Sequence, residues 1–128
     1  KRIIFAEFFA NDEHLSRHSC ADLFLDTFNY NAHTTACDSL WAGLPVITKI
    51  GNGFASRVSS SLLKAINLPE LVTKTNEEYE KLAYSLACNP KKLNGIKEKL
   101  KKNIPSSNLF NTEKFTRDYE CLLESTVR

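Results

Sequence analysis

The strongest constraint on the fold is a spacing. Two short apolar runs, DLFLDT (residues 22–27) and PVITK (residues 45–49), are separated by FNYNAHTTACDSLWAGL, which reads as a loop, a helix and a stop. The helix is expected from about Thr34 to Ala42; Gly43 breaks it and Pro45 prevents its extension. Leu40 and Trp41 are expected to pack, and Val46 and Ile47 to start the next buried strand. Strands joined by a helical crossover lie side by side in parallel, and such crossovers are almost always right-handed.

The alternation continues on both sides. RIIFA (residues 2–6) is a buried-strand candidate, followed by a helix in NDEHLSRHSCA with Asn11 as N-cap and Leu15 turned inward. After the loop IGNGF, the segment ASRVSSSLLKAI carries Val58, Leu62 and Ile66 on one helical stripe, and LPELVTK reads as a short strand or extended piece. Three helices are expected to close the chain, over residues 76–88, 90–102 and 111 to about 125. This order predicts an α/β fold: one domain over residues 1–128, a Rossmann-like parallel sheet flanked by helices, with a helical C-terminus. The sequence starts on an apolar run without an initiating Met, which reads as an excised piece of a larger protein that need not hold a whole active site.

Charge excludes some functions. With 17 Lys+Arg against 15 Asp+Glu, the formal net charge of +2 is no footprint for nucleic acid. The basic run NPKKLNGIKEKLKKN keeps Leu93, Ile96 and Leu100 at helical spacing, so its lysines read as a solvated helix face. No apolar run approaches the length of a membrane span. The 4 cysteines show no CxxC pairing; Cys20, Cys37 and Cys88 stand among apolar residues and read as small hydrophobes, favouring a reduced, cytoplasmic setting.

Ligands of parallel sheets bind beyond the carboxyl ends of the strands, which selects the loops at residues 7–13, 27–34 and 49–55. The second loop runs into a helix start, where unpaired N–H groups and the positive dipole end suit an anion such as a diphosphate. Thr34 and Thr35 add hydroxyls, His33 stands at the mouth, and Asp38, one turn beyond Thr34, can accept from a ribose diol. The plain alternative makes Thr34 an ordinary N-cap, Asp38 a dipole partner and His33 loop filler; residue chemistry alone leaves both readings open. His14 and His18 have the i, i+4 spacing of a metal pair, but HLSRH lacks a zincin glutamate and a third ligand, so no metal site is expected. IGNGF matches no phosphate-loop pattern and reads as a flexible connection, and Ser56 and Arg57 are left undecided between substrate contact and scaffold.

ADLFLDTFNYNAHTTACDSLWAGLPVIT, ASRVSSSLL and SSNLFNTEKFTRDYE resemble the C-terminal catalytic lobe of the O-GlcNAc transferase family, bacterial members included, within the GT-B glycosyltransferases. The resemblance implies a UDP-sugar donor, UDP-GlcNAc, and a protein Ser/Thr hydroxyl as acceptor. It makes His33, Thr34 and Thr35 the diphosphate-binding turn, with His33 stabilising the leaving group, and Asp38 the ribose-holding acid. DEHLSRHSCAD is similar to the family's uracil-side segment, which places His14 and Arg17 beside the base and the Phe9 backbone at its edge. Asn11 stands where eukaryotic members carry a lysine near the ribose. Retaining GT-B enzymes carry a glutamate eight positions before the ribose acid; Tyr30 occupies that position here, in keeping with inverting chemistry. No Asp-x-Asp motif is present, so the implied chemistry is metal-independent. The acceptor groove, a diphosphate-contacting lysine and tetratricopeptide repeats are implied upstream. The last helix carries Phe115, Tyr119 and Leu122 at helical spacing and reads as core-facing, or as partly exposed if it returns across a lobe interface as in GT-B enzymes. Outside this family the runners-up are a non-catalytic α/β interaction module and a related sugar-nucleotide enzyme such as an epimerase.

Overall fold

A computed structural model describes residues 2–127. Three parallel strands, β1 (Phe24–Leu25), β2 (Val46–Lys49) and β3 (Val72–Thr73), lie in that order, with Phe24 opposite Val46 and Thr48 opposite Val72. Backbone bonds from Phe24 N to Pro45 O (2.8 Å), Asp26 N to Ile47 O (3.1 Å) and Ile50 N to Thr73 O (2.9 Å) extend the pairing beyond the short strands. The helices are α1 (Asn11–Ser16), α2 (Thr34–Trp41), α3 (Val58–Ala65), α4 (Asn76–Ala87), α5 (Pro90–Asn103) and α6 (Thr112–Thr126). The expected α/β order and the parallel sheet are therefore present.

Local chemistry explains the helix limits. Gly43, at φ +83°, closes α2: its N–H donates to Leu40 O (3.1 Å) and that of Leu44 to Ser39 O (2.8 Å), the paired bonds of a Schellman ending. Asn67, at φ +59°, closes α3 in the same way, with Leu68 N donating to Leu63 O at 2.8 Å. Side-chain caps from Thr75, Asn89 and Asn111 open α4, α5 and α6. The core gathers Leu40, Val46, Ile47, Leu63, Ile66, Leu68, Leu71, Leu86, Leu93 and Leu100 between the sheet and α2 to α5. The lysine-rich α5 thus turns Leu93 and Leu100 inward and its lysines mostly outward.

Several expectations need correction. RIIFA forms no strand: Ile3, Ile4 and Phe5 are 70%, 87% and 91% exposed, and no described strand pairs with them. β-propensity is realised only against a neighbouring strand, so an apolar run without one stays irregular. Asn11 is the first helical residue, with Ala10 in the N-cap position. The first helix is short and passes into a 3-10 turn at Arg17–Cys20. Cys20 and Cys88 are exposed and Cys37 is half-buried, so these three are not the small hydrophobes expected; Cys121 is exposed too, and all four are free. Trp41 is 56% exposed and meets only the edge of Phe110 in aromatic contact. None of α6 is buried; Phe115, Tyr119 and Leu122 line its outer surface, the exposed alternative rather than the core-facing one.

Candidate functional site

The β1–α2 connection is built around one buried acid. Asp26, 4% exposed, follows β1 and accepts at Oδ1 from the N–H groups of Thr27 (2.9 Å) and Ala32 (2.7 Å) and at Oδ2 from the Thr48 hydroxyl (2.6 Å). Its backbone oxygen accepts from the Tyr79 hydroxyl at 3.0 Å. Burial, then the Asp26 charge, push the Tyr79 phenol up from 10.0 to about 12. Asn31 braces the same loop: its N–H donates to Ala55 O (2.9 Å) and its Nδ2 to Thr27 O (2.7 Å), while the buried Oδ1 has no partner.

This frame delivers His33 to the N-cap position of α2. His33 O accepts from the N–H groups of Ala36 and Cys37 (both 3.1 Å), and no side chain caps the helix. Thr34 is the first helical residue, so it is not the ordinary N-cap of the plain alternative. The His33 ring stacks on Tyr30 (centroids 4.7 Å apart, 16° between planes) and meets the edge of Phe54, with Nε2 3.4 Å from Ala55 O. Asp38 lies half-buried one turn along, beside Cys37, whose thiol is pushed up by burial and then by the Asp38 charge.

The residues expected beside the base form a second cluster. Arg17 holds Glu7 O through Nη1 (2.9 Å) and His14 Nδ1 through Nη2 (2.7 Å), and its guanidinium lies 5.7 Å from the centre of the Phe9 ring. The His14 ring meets His18 edge-on, and His18 Nδ1 bonds His14 O at 2.9 Å. His18 is therefore a buried brace of α1. A hollow of about 300 Å³ is lined by Phe8, Phe9, Asn11, His14 and Arg17. A second, of about 390 Å³, is lined by His14 and Arg17 on one side and Thr35 on the other. Leu23, Phe24, Leu25 and Leu44 give it an apolar floor. His14 and Arg17 line both, so Phe9, Asn11, His14, Arg17 and Thr35 come together, while His33 just before α2 and Thr34 and Asp38 on it stand outside these linings. A larger hollow of about 550 Å³ runs along α3 past Phe54, Lys64 and Arg57, the residue left undecided between substrate contact and scaffold, and none of the residues expected at the nucleotide lines it. Among the described residues no three His, Cys, Asp or Glu side chains gather as a metal cluster.

The profile of glycosyl transferase family 41 matches residues 1–119. The chain belongs to glycosyl transferase family 41. It is 40% identical over 122 residues to the UDP-N-acetylglucosamine–peptide N-acetylglucosaminyltransferase of Caenorhabditis elegans, covering 95% of this chain and 11% of that protein. It is 38% identical over 120 residues to a probable enzyme of the same name, SEC, of Arabidopsis thaliana, covering 93% of this chain and 12% of that one. The fold superposes with a TM-score of 0.85 on a mutant O-GlcNAc transferase from Thermobaculum terrenum, at 33% identity over 90% of this chain and 22% of that one. The resemblance to O-GlcNAc transferases and the GT-B fold assignment therefore hold, and the chain spans roughly a ninth to an eighth of those curated relatives.

Sequence reasoning missed Asp26, Thr48, Tyr79 and the loop brace Asn31, because the bonds that join Asp26 to Thr48 and Tyr79, and Asn31 to Ala55, cross long stretches of chain. The one available signal was an acid closing an apolar strand in DLFLDT. Ser56 is resolved as scaffold: it is 7% exposed and its hydroxyl donates to Gly53 O at 3.0 Å. The two ends of the IGNGF loop are joined by a bond from Gly51 N to Ser56 O at 2.8 Å.

Proposed function

We propose that this chain is the nucleotide-sugar-binding domain, residues 1–128, of an inverting glycosyltransferase. The full protein transfers GlcNAc from UDP-GlcNAc to protein Ser/Thr hydroxyls. In this reading the α2 N–H groups, His33, Thr34 and Thr35 hold the diphosphate, Asp38 the ribose, and His14 and Arg17 the uracil. The Phe9 backbone reads the base edge, and Asn11 stands near the ribose. The observation that carries the reading is that α2 opens without a side-chain cap, with His33, Thr34 and Thr35 gathered at its start.

An acceptor oxygen attacks the anomeric carbon as the bond to the diphosphate oxygen breaks, so negative charge grows on the leaving phosphates. A helix start is already oriented toward such charge and needs no reorganisation at the moment of reaction. With Nε2 facing a carbonyl, His33 Nδ1 is the nitrogen left for phosphate, as a donor when the ring is cationic. No metal is required in this scheme. The protein acceptor, its groove, the further diphosphate-binding lysine and tetratricopeptide repeats belong to upstream parts of a longer protein, in keeping with the small share of its relatives that the chain spans. No nucleic-acid or membrane partner enters the scheme. No helix among the described residues is long and apolar enough to cross a membrane, and the free cysteines suit the cytoplasm.

Calorimetry with UDP tests the reading. The chain is expected to bind UDP weakly, with chelator present or absent, and to transfer no sugar alone. His33→Ala and Asp38→Ala should each weaken binding about tenfold, the scale of one lost charged hydrogen bond. No binding by the wild type, or unchanged binding in both variants, overturns the donor-site assignment.

A further inference from the structure

The Asp26 carboxylate ties together three elements that the predicted site needs in register. Its Oδ1 accepts from Thr27 N and Ala32 N at 2.9 and 2.7 Å, pinning both ends of the loop before α2, and Oδ2 accepts from the Thr48 hydroxyl of β2 at 2.6 Å. Ala32 immediately precedes His33 and is held from both sides, because its own carbonyl oxygen accepts from Ser59 Oγ of α3 at 2.8 Å. Thr48 is fixed in turn by Thr73 of β3, whose hydroxyl donates to Thr48 O at 3.0 Å. An apolar side chain at position 26 would avoid the desolvation of a 4% exposed carboxylate, but would leave three donors without their acceptor. Of the groups that set the loop, only Asp26 is an acceptor shared by the sheet and the helix approach.

We propose that Asp26 is the positioning residue of the diphosphate seat. It touches no ligand; it fixes where His33 and the first N–H groups of α2 stand, and so governs affinity for the diphosphate rather than for the nucleoside. This inference rests on the donor-site reading above. The Arg17–His14 cluster hangs on α1 and Glu7, and makes no hydrogen bond to the Asp26 network. Displacing the α2 start should therefore leave base contacts in place, and Asp38, a turn further along beside fully buried Ser39 and Leu40, should keep its place against the ribose.

The test compares UDP with uridine by NMR titration of the chain. Asp26→Ala should weaken UDP binding about tenfold while uridine affinity changes less than about twofold. Asp26→Asn, whose amide oxygen can still accept from both N–H groups, should recover most of the UDP affinity. If Asp26→Ala fails to fold, Thr48→Val carries the same test, with an expected UDP loss of about threefold and unchanged uridine affinity. UDP and uridine affinities that fall together, or a UDP affinity that does not change, overturn the positioning role alone. A wild-type chain that binds neither probe overturns the donor-site reading, and this inference with it.

Discussion

The two halves of the candidate site are built in different ways. The proposed phosphate half is a braced network: Asp26, Asn31, Thr48 and Ser59 fix the loop before α2 from the sheet and from α3. The proposed base half is an arm, with residues 2–13 exposed and outside the core, tied down chiefly by Arg17 through Glu7 O and the face of Phe9. Diphosphate charge is met best by donors that do not move, because reorganisation subtracts from binding and from leaving-group stabilisation. A flat base tolerates a softer contact, made by side chains that close on it. In the proposed reading, preorganisation is concentrated where charge would develop.

Mutations should separate the halves. Leu40→Ala removes a fully buried side chain of α2 beneath the seat and should cost about 2–5 kcal/mol in chemical denaturation. Phe5→Ala, on the 91% exposed arm position, should cost less than about 0.5 kcal/mol. Equal costs would erase the contrast.

Gly51→Ala attacks the loop that carries Phe54 and Ala55 to His33. A Cβ on Gly51 would lie 2.6 Å from Ser56 Cβ and nearer still to its hydroxyl. Because Ser56 is buried, relief requires backbone movement, and a loss of about 1–3 kcal/mol is expected, together with weaker UDP binding. A neutral result in both measurements would show that this loop gives way without disturbing His33.

Tyr79→Phe is the subtlest change. The phenol is pushed up from 10.0 to about 12, so the folded state favours the protonated form. Its contribution is complete below pH 10 and is lost as pH rises through about 12. Melting temperatures at rising alkaline pH should fall more steeply for wild type than for Tyr79→Phe; parallel curves would remove Tyr79 from the Asp26 network.

What could be read in the sequence was local. Gly43 and Pro45 punctuate α2 and β2 through their own backbone preferences, and the apolar spacing of α5 gives its buried face directly. The candidate seat was legible as a motif because His33, Thr34 and Asp38 fall within one six-residue stretch. The Asp26 frame was not, since Thr48 stands 22 and Tyr79 53 residues away and only the fold brings them close. RIIFA failed for the opposite reason: its strand preference is local, but a strand also needs a partner, and none stands beside it among the described residues. In α6 the periodic stripe was read correctly as a helix, while the surface it faces is set by tertiary contacts that periodicity does not encode.

The most direct test of the diphosphate seat is a titration of the chain with UDP followed at each backbone amide by NMR. The account predicts that the amides of Thr34, Thr35 and Ala36 move strongly with UDP and weakly with uridine, while those around His14 and Arg17 move with both. Binding of UDP that leaves the α2 amides unmoved would contradict it.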